Sequence, residues 1–368
     1  MRAARALLRN LGKLSLLIFL MGSVMSSHGA LLEDDAYDPA FDKEFDDDFA
    51  PAINDQPIFG YRDHPVWFQN SFLELEDDLR TALRFGKRGL IVYFGQTACP
   101  YCKALMERDF GKREIAHYTR KHFDVIAIDI HGEKSVLDFD GTEYTERSFS
   151  EKLGVNFTPT LIFYNEKGEQ AFRLNGYQPP YKFQAVLEYV ADNHYQQESL
   201  HDYLIRGEQG IDFDEGALNE TDFFSPPPYA FDRSNFAASG PLALFFEEGR
   251  CHACDVLHSN ALLDEGVLKL LEGFDSAQLN IHDSSPLLTP RGERTTVKDW
   301  VRDLGLFYSP SIIFFDERGE EIIRVDSVVG FRRLRGVLSY IQSGAYRTGV
   351  TYQKYRRDLW LKGLKSNN

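Results

Sequence analysis

The four cysteines of this chain come as two pairs of identical spacing, Cys99-Pro100-Tyr101-Cys102 and Cys251-His252-Ala253-Cys254. The first pair stands where a buried-strand pattern, "RGLIVYFGQ" (88–96), gives way to a helix. At a helix N-terminus, free backbone N–H groups and the helix dipole favour a thiolate and lower its pKa from about 8.5 toward about 3.5–7. Cys99 is then the expected nucleophile, which forms a mixed disulfide with a substrate. Cys102, one helical turn later, is the resolving thiol that releases it. Pro100 suits the first helical turn, where its missing N–H costs nothing. In the second pair, His252 next to Cys251 would stabilise the thiolate when protonated and make that disulfide more oxidising. A structural disulfide in a redox-silent domain is the other reading of this pair. Two Cys-x-x-Cys pairs could also form a four-thiolate zinc site. The 148 residues between them do not exclude it, but each pair lies at the same point of its own repeat, which a shared metal does not require. No metal is expected.

The repeat is direct. "TPTLIFYNEKGE" (158–169) matches "SPSIIFFDERGE" (309–320), so Pro159 and Pro310 lie 151 residues apart, while the cysteines are offset by 152. His131 and His282, each ending a strand-like run, keep the 151-residue offset. Thr158-Pro159, just before an apolar strand, predicts a cis peptide facing the sulfurs, and Ser309-Pro310 predicts the same in the second copy. Such a loop keeps metal from the dithiol and offers backbone groups to an extended substrate chain. The other reading of each proline is an ordinary strand-edge residue.

The elements that must position these groups can be read coarsely. A helical pattern (71–87) precedes the strand 88–96; the cysteine-bearing helix follows, then a strand at 124–130 and a helix near 145–153. The strands 88–96 and 124–130 form a βαβ unit with parallel strands. "TLIFYN" and "EQAFRLNG", joined by a Lys-Gly turn, predict an antiparallel hairpin, and a helix over about 180–193 closes the copy. Phe183, Val186, Leu187 and Val190, and their counterparts Leu334, Val337, Leu338 and Ile341, have helical spacing. The fold class is α/β, a small mixed sheet flanked by helices, twice in tandem.

Over residues 70–195 the first copy resembles the thioredoxin superfamily, and within it the periplasmic SoxW-like thioredoxins. The resemblance rests on "CPYCKALMERDF", on "IDIHGEKSVLDFDGTEYTERSFSEKLGVNFTPTLIFYNEKGE" and on "LNGYQPPYKFQAVLEYV". It implies two thioredoxin-like domains and thiol-disulfide exchange by the cysteines alone, without a further cofactor. Electrons would come through a membrane reductase of the DsbD or CcdA kind, and the partners would be disulfide- or persulfide-bearing extracytoplasmic proteins. The chain also departs from the family. Pro100 and Tyr101 stand where ordinary thioredoxins have Gly-Pro, and Tyr93 stands where they bury an aspartate. Proton transfer at Cys102 therefore needs another group. His131, at the same sheet edge as Cys99, is a candidate, with a surface histidine satisfied by other partners as the alternative.

The 368 residues suggest two domains. Arg2, Arg5, Arg9 and Lys13 precede the apolar run Leu14 to Val24 and small residues to Ala30, the layout of a cleaved signal peptide (1–30). That run is shorter than the roughly 20 residues needed to span a bilayer. A periplasmic location follows. Residues 31–65, with nine acids between 33 and 48, read as a disordered acidic leader. The first domain is assigned to 66–205, a Pro- and Gly-rich linker to 206–235, the second domain to 236–345 and a basic tail to 346–368. A net charge of -15 argues against nucleic-acid binding. The expectation is an exported thiol-disulfide oxidoreductase that reduces disulfides or cysteine-bound sulfur on partner proteins; the alternative is a non-catalytic partner-binding module with structural disulfides.

Overall fold

Gly89–Gly95 is buried at every position and forms β1, the second strand of a sheet covered on both faces. The computed structural model describes residues 53, 55–56, 64–207, 217–219, 221–249 and 251–366. In the first domain β1 pairs in parallel with β2 (Phe123–Asp129) and antiparallel with β5 (Thr160–Tyr164), which turns back as β6 (Gln170–Asn175). The order is β2-β1-β5-β6. The two-residue period of β1 divides its side chains between two cores. Leu90, Val92 and Phe94 pack with Ile126, Ile162 and the apolar face of α1 (Leu75–Arg84). Ile91 and Tyr93 pack with Phe163 and with Phe183, Val186, Leu187 and Val190 of α5 (Pro180–Ala191). Each such side chain contributes roughly 1.5–3 kcal/mol on burial. Between these elements lie α2 (Pro100–Ala104), α3 (Arg113–His122), the short hairpin β3 (Ser135–Leu137) and β4 (Glu143–Thr145), and α4 (Glu146–Lys152). The domain closes with α6 (Leu200–Gly207).

The second domain repeats the plan. β7 (Leu242–Glu247) is fully buried, and the sheet order is β8-β7-β11-β12 with β8 (Asp275–Asn280), β11 (Ser311–Phe315) and β12 (Glu321–Val325). Its helices are α7 (His252–Ser259), α8 (Glu265–Leu271), α9 (Val297–Asp303) and α10 (Phe331–Gln342), with a small hairpin, β9 (Pro286–Leu288) and β10 (Arg294–Thr296), before α9.

Three boundary readings change. The second half of the expected linker belongs to the second domain: Tyr229 and Phe231 pack on its core, and Arg233 bonds the Gly240 and Asp316 carbonyls and Asp275. On this face of the second sheet α9 packs, but among the described residues no helix corresponds to α1, and apolar side chains of the Pro-rich stretch bury there instead. The expected basic tail forms α11 (Tyr352–Ser366), anchored by buried Tyr352 against Phe157 and Tyr340. Within the expected acidic leader Asp55 is buried, its carboxylate accepting the N–H of Arg333 at 3.0 Å. Residues 1–52, and with them the signal peptide and most of the leader, lie outside the described residues. Among the described residues no helix is long and apolar enough to cross a membrane, and no group of three or more His, Cys, Asp or Glu could hold a metal ion.

The domains meet through equivalent positions. The N–H of Val328 donates to the carbonyl of Tyr177 (3.2 Å), its counterpart 151 residues earlier. A Cβ on Gly176 would stand 2.0 Å from the hydroxyl of Ser327, again the counterpart. Equivalent residues that touch each other lie on a local twofold axis. Aromatic side chains are exchanged about it: Phe157 packs in the second domain's core, and Tyr308 packs beside Cys99, Tyr101 and Cys102.

Candidate redox site

Ala98, in the left-handed region at φ 61, turns the chain out of β1 and makes Cys99 the N-cap of α2. Pro100 occupies the first turn of that helix. Cys99 and Cys102 are joined in a disulfide, and the N–H of Cys102 donates to the Cys99 sulfur at 3.0 Å. The Cys99 Sγ also lies 3.3 Å from the hydroxyl and 3.7 Å from the carbonyl oxygen of Thr158. The Thr158–Pro159 peptide is cis.

A hydrogen-bonded chain leads away from this contact. The Gln96 amide nitrogen donates to the Thr158 hydroxyl oxygen (2.8 Å), and His131 Nε2 lies 3.0 Å from Gln96 Oε1. A disulfide sulfur has no hydrogen, and the Thr158 oxygen already accepts from Gln96, so the hydroxyl hydrogen is the one available to the sulfur. His131 is thus linked to Cys99, whereas sequence reasoning had assigned it to Cys102. Desolvation pulls the His131 pKa below its ordinary value, with Asp129 opposing. Beneath the helix, Tyr93 is fully buried, its hydroxyl filling the space beside Gly95.

Tyr101, between the cysteines, is buried at 4% exposure. Its hydroxyl accepts the N–H of Gly330 (2.7 Å) and points at the Asp55 carboxylate. Burial pushes its pKa up to about 12, against the pull of Arg333, so the phenol stays neutral.

The second centre keeps the plan with changed parts. Cys251 caps α7, is disulfide-bonded to Cys254 and accepts the N–H of Cys254 at 3.0 Å. Its sulfur lies 3.6 Å from the Ser309 carbonyl, and Ser309–Pro310 is cis. His282 Nε2 is 3.2 Å from Glu248, which stands where the first copy has Gln96. Burial works to raise the Glu248 pKa, but hydrogen bonds from His282 and Ser309 and the charge of Lys182 hold it below the ordinary range. His252 is exposed. Beneath α7, fully buried Glu247 is bonded to His258 (3.0 Å) and Gln278 (3.1 Å).

Each domain also sends a cation to the other's proline loop. Arg333 Nη2 donates to the Thr158 carbonyl at 2.9 Å, and Lys182 Nζ donates to the Phe307 carbonyl at 2.5 Å. Sequence reasoning missed Lys182, Arg333, Gln96 and Glu248. A signal was present, because the first two are offset by 151 residues and the last two by 152, like the loops and cysteines they serve.

A thioredoxin-like domain model matches residues 75–191 and again 236–342. The chain belongs to the thioredoxin-like domain family. Each matched segment contains its Cys-x-x-Cys pair and its cis-proline loop. No curated protein matches the chain. Among solved structures it is similar to a thioredoxin-fold protein from Helicobacter pylori, at 22% identity and a TM-score of 0.31 over 38% of this chain and 91% of that one. It is also similar to a thioredoxin from Thermus thermophilus, at 22% identity and a TM-score of 0.26 over 32% of this chain and 83% of that one.

Proposed function

We propose that the protein is an extracytoplasmic thiol-disulfide oxidoreductase that reduces disulfides or cysteine-bound sulfur on partner proteins. The observation that carries the reading is that each copy holds a Cys-x-x-Cys pair at a helix N-terminus against a cis-proline loop. The Cys99 thiolate attacks one sulfur of the substrate disulfide, breaking that bond and releasing a thiolate that takes up a proton. Cys102 then loses its proton and attacks Cys99 Sγ, which releases the second substrate thiol and leaves Cys99–Cys102 oxidised. The electron pair resides in the cysteines, so the reaction needs no other cofactor. The first thirty residues support export to the periplasm. The SoxW-like resemblance supports a membrane reductase of the DsbD or CcdA kind as electron donor and sulfur-carrying proteins as substrates.

The burial of Cys99, at 5% exposure, favours a second reading in which the chain binds partners with both disulfides structural. Insulin reduction separates the two. An oxidoreductase reduces insulin in the presence of dithiothreitol and loses that activity on combining Cys99→Ser with Cys251→Ser; a scaffold shows none at the outset. Mixed disulfides trapped on Cys102→Ser and Cys254→Ser variants in the native compartment would identify the partners.

A further inference from the structure

The two centres match almost part for part. Thr158 corresponds to Ser309, His131 to His282, and the cation Arg333 on one proline loop to Lys182 on the other. The middle member of the hydroxyl chain is the exception, a neutral amide in the first centre and a carboxylate in the second. This single difference changes where the hydroxyl hydrogen goes. Gln96 donates to Thr158 and leaves the Thr158 hydrogen for Cys99. Glu248 can only accept; it lies 3.2 Å from His282 Nε2, and the Cys251 sulfur is in reach of the Ser309 carbonyl (3.6 Å), whereas Cys99 has the Thr158 hydroxyl at 3.3 Å. A thiolate at Cys99 is therefore met by a donor. One at Cys251 lacks that donor, and a carboxylate stands where the first centre has the neutral Gln96 amide.

Stabilising the thiolate stabilises the dithiol and raises the reduction potential; destabilising it does the reverse. We propose that Gln96 and Glu248 set the two centres at different potentials, the second the more reducing, so that an electron pair runs from Cys251/Cys254 to Cys99–Cys102. The other charged groups do not reverse this order. Arg333 bonds the Thr158 carbonyl beside Cys99, while Lys182 bonds the Phe307 carbonyl two residues before Ser309, so the cations favour the same order, and buried Glu247 beneath α7 is paired with His258 at 3.0 Å. Asp55 is held by Tyr101 and the Arg333 N–H, outside the hydroxyl chain. His252 is exposed, so its charge is screened by water.

The shared interface suits such a transfer, since Ala253 of the second motif packs on the cluster that contains Cys99, Tyr101 and Cys102. An external dithiol first reduces Cys251–Cys254. The Cys251 thiolate then attacks Cys99 Sγ, breaking the Cys99–Cys102 bond, and Cys102 leaves as a thiolate and is protonated. Cys254 gives up its proton and attacks Cys251 Sγ; the interdomain disulfide breaks, and Cys99 leaves as the thiolate that Thr158 stabilises. Two electrons and one proton have moved from the second centre to the first, and the thiolate charge has passed from Cys251 to Cys99.

This inference rests on the redox reading above, and its test is separable from it. Full-length variants carrying only one pair, through Cys251→Ser/Cys254→Ser or Cys99→Ser/Cys102→Ser, are equilibrated in dithiothreitol buffers of graded potential and quantified by thiol alkylation. The expected result is a second centre at least tenfold harder to reduce, about 30 mV more negative for a two-electron couple. Gln96→Glu should lower the first potential and leave the second unchanged, and Glu248→Gln should raise the second. Should Gln96→Glu fail to fold, Thr158→Val, which removes the donor alone, should also lower the first. As an independent readout in a Cys102→Ser background, Gln96→Glu should shift the pH profile of Cys99 alkylation to higher pH. Equal or reversed potentials in a chain that reduces insulin, or exchanges that move neither potential, overturn the inference and leave the redox reading standing. Disulfides that dithiothreitol cannot reduce overturn both.

Discussion

The guanidinium of Arg333 lies 3.5 Å from the ring centroid of Tyr101, which puts a helix of the second domain over the dipeptide between Cys99 and Cys102. The same side chain bonds the Thr158 carbonyl, so ring and proline loop are held by one buried cation. Burial pulls the Arg333 pKa below its ordinary value, with Tyr101 opposing. A desolvated cation over an aromatic face is worth about 2 kcal/mol. The group occupies the loop carbonyl that an extended substrate chain would use.

Arg333→Ala should therefore open the first centre. Loss of about 1–2 kcal/mol from the contact corresponds to a five- to thirtyfold shift in the closed-to-open ratio. In a reduced Cys102→Ser background, the rate of Cys99 alkylation by a bulky maleimide should rise by a similar factor. An unchanged rate would mean that the contact does not limit access.

Gly176 is a steric pivot of the interface. Its φ of 70 lies in the left-handed region, and a Cβ there would meet the Ser327 hydroxyl. Gly176→Ala should cost about 1–2 kcal/mol for the backbone alone, with the clash added. Combining it with Ser327→Gly should recover the steric part only, as urea unfolding of the two variants would show.

Phe157 belongs by sequence to the first domain but packs in the core of the second. Phe157→Ala should destabilise the protein by about 3–5 kcal/mol. Hydrogen exchange should show the loss in α10 and α11 as well as in the proline loop; a loss confined to the first domain would contradict the packing.

Asp326 carries a pH-dependent penalty. The residue keeps some exposure, but its Oδ1 is buried, and burial raises the carboxyl to about 6 against the pull of Arg324. The folded state then holds the proton more tightly than the unfolded state, so stability falls as pH rises from about 4 to 6 and the full penalty applies above that range. Asp326→Asn should stabilise the protein by about 1–3 kcal/mol at pH 7 and have little effect near pH 4. Denaturant unfolding at several pH values would measure the difference, and a stabilisation that grew toward acid would refute the assignment.

Much of the architecture was legible because its signals are local or repeated. The run 88–96 and the spacing of Phe183, Val186, Leu187 and Val190 reported a buried strand and a one-sided helix directly. Asp55 shows the opposite case. In a stretch of acids its burial contradicts the composition, and it depends on Arg333, 278 residues away. Tyr229 and Phe231 looked like linker residues because nothing local shows that the second domain has no counterpart of α1 among its described residues.

By itself, the sequence determined the duplicated α/β plan, the two cysteine pairs and the prolines opposite them, because strand period, helix spacing and repeat offsets are properties of one stretch of chain. Only the tertiary structure decided that the domains cap each other's proline loops, that His131 connects to Cys99, and that Gln96 and Glu248 occupy equivalent places in two hydroxyl chains. A hydrogen bond or a buried charge depends on the distance and direction of its partner, and for these residues folding brings that partner from a distant part of the chain.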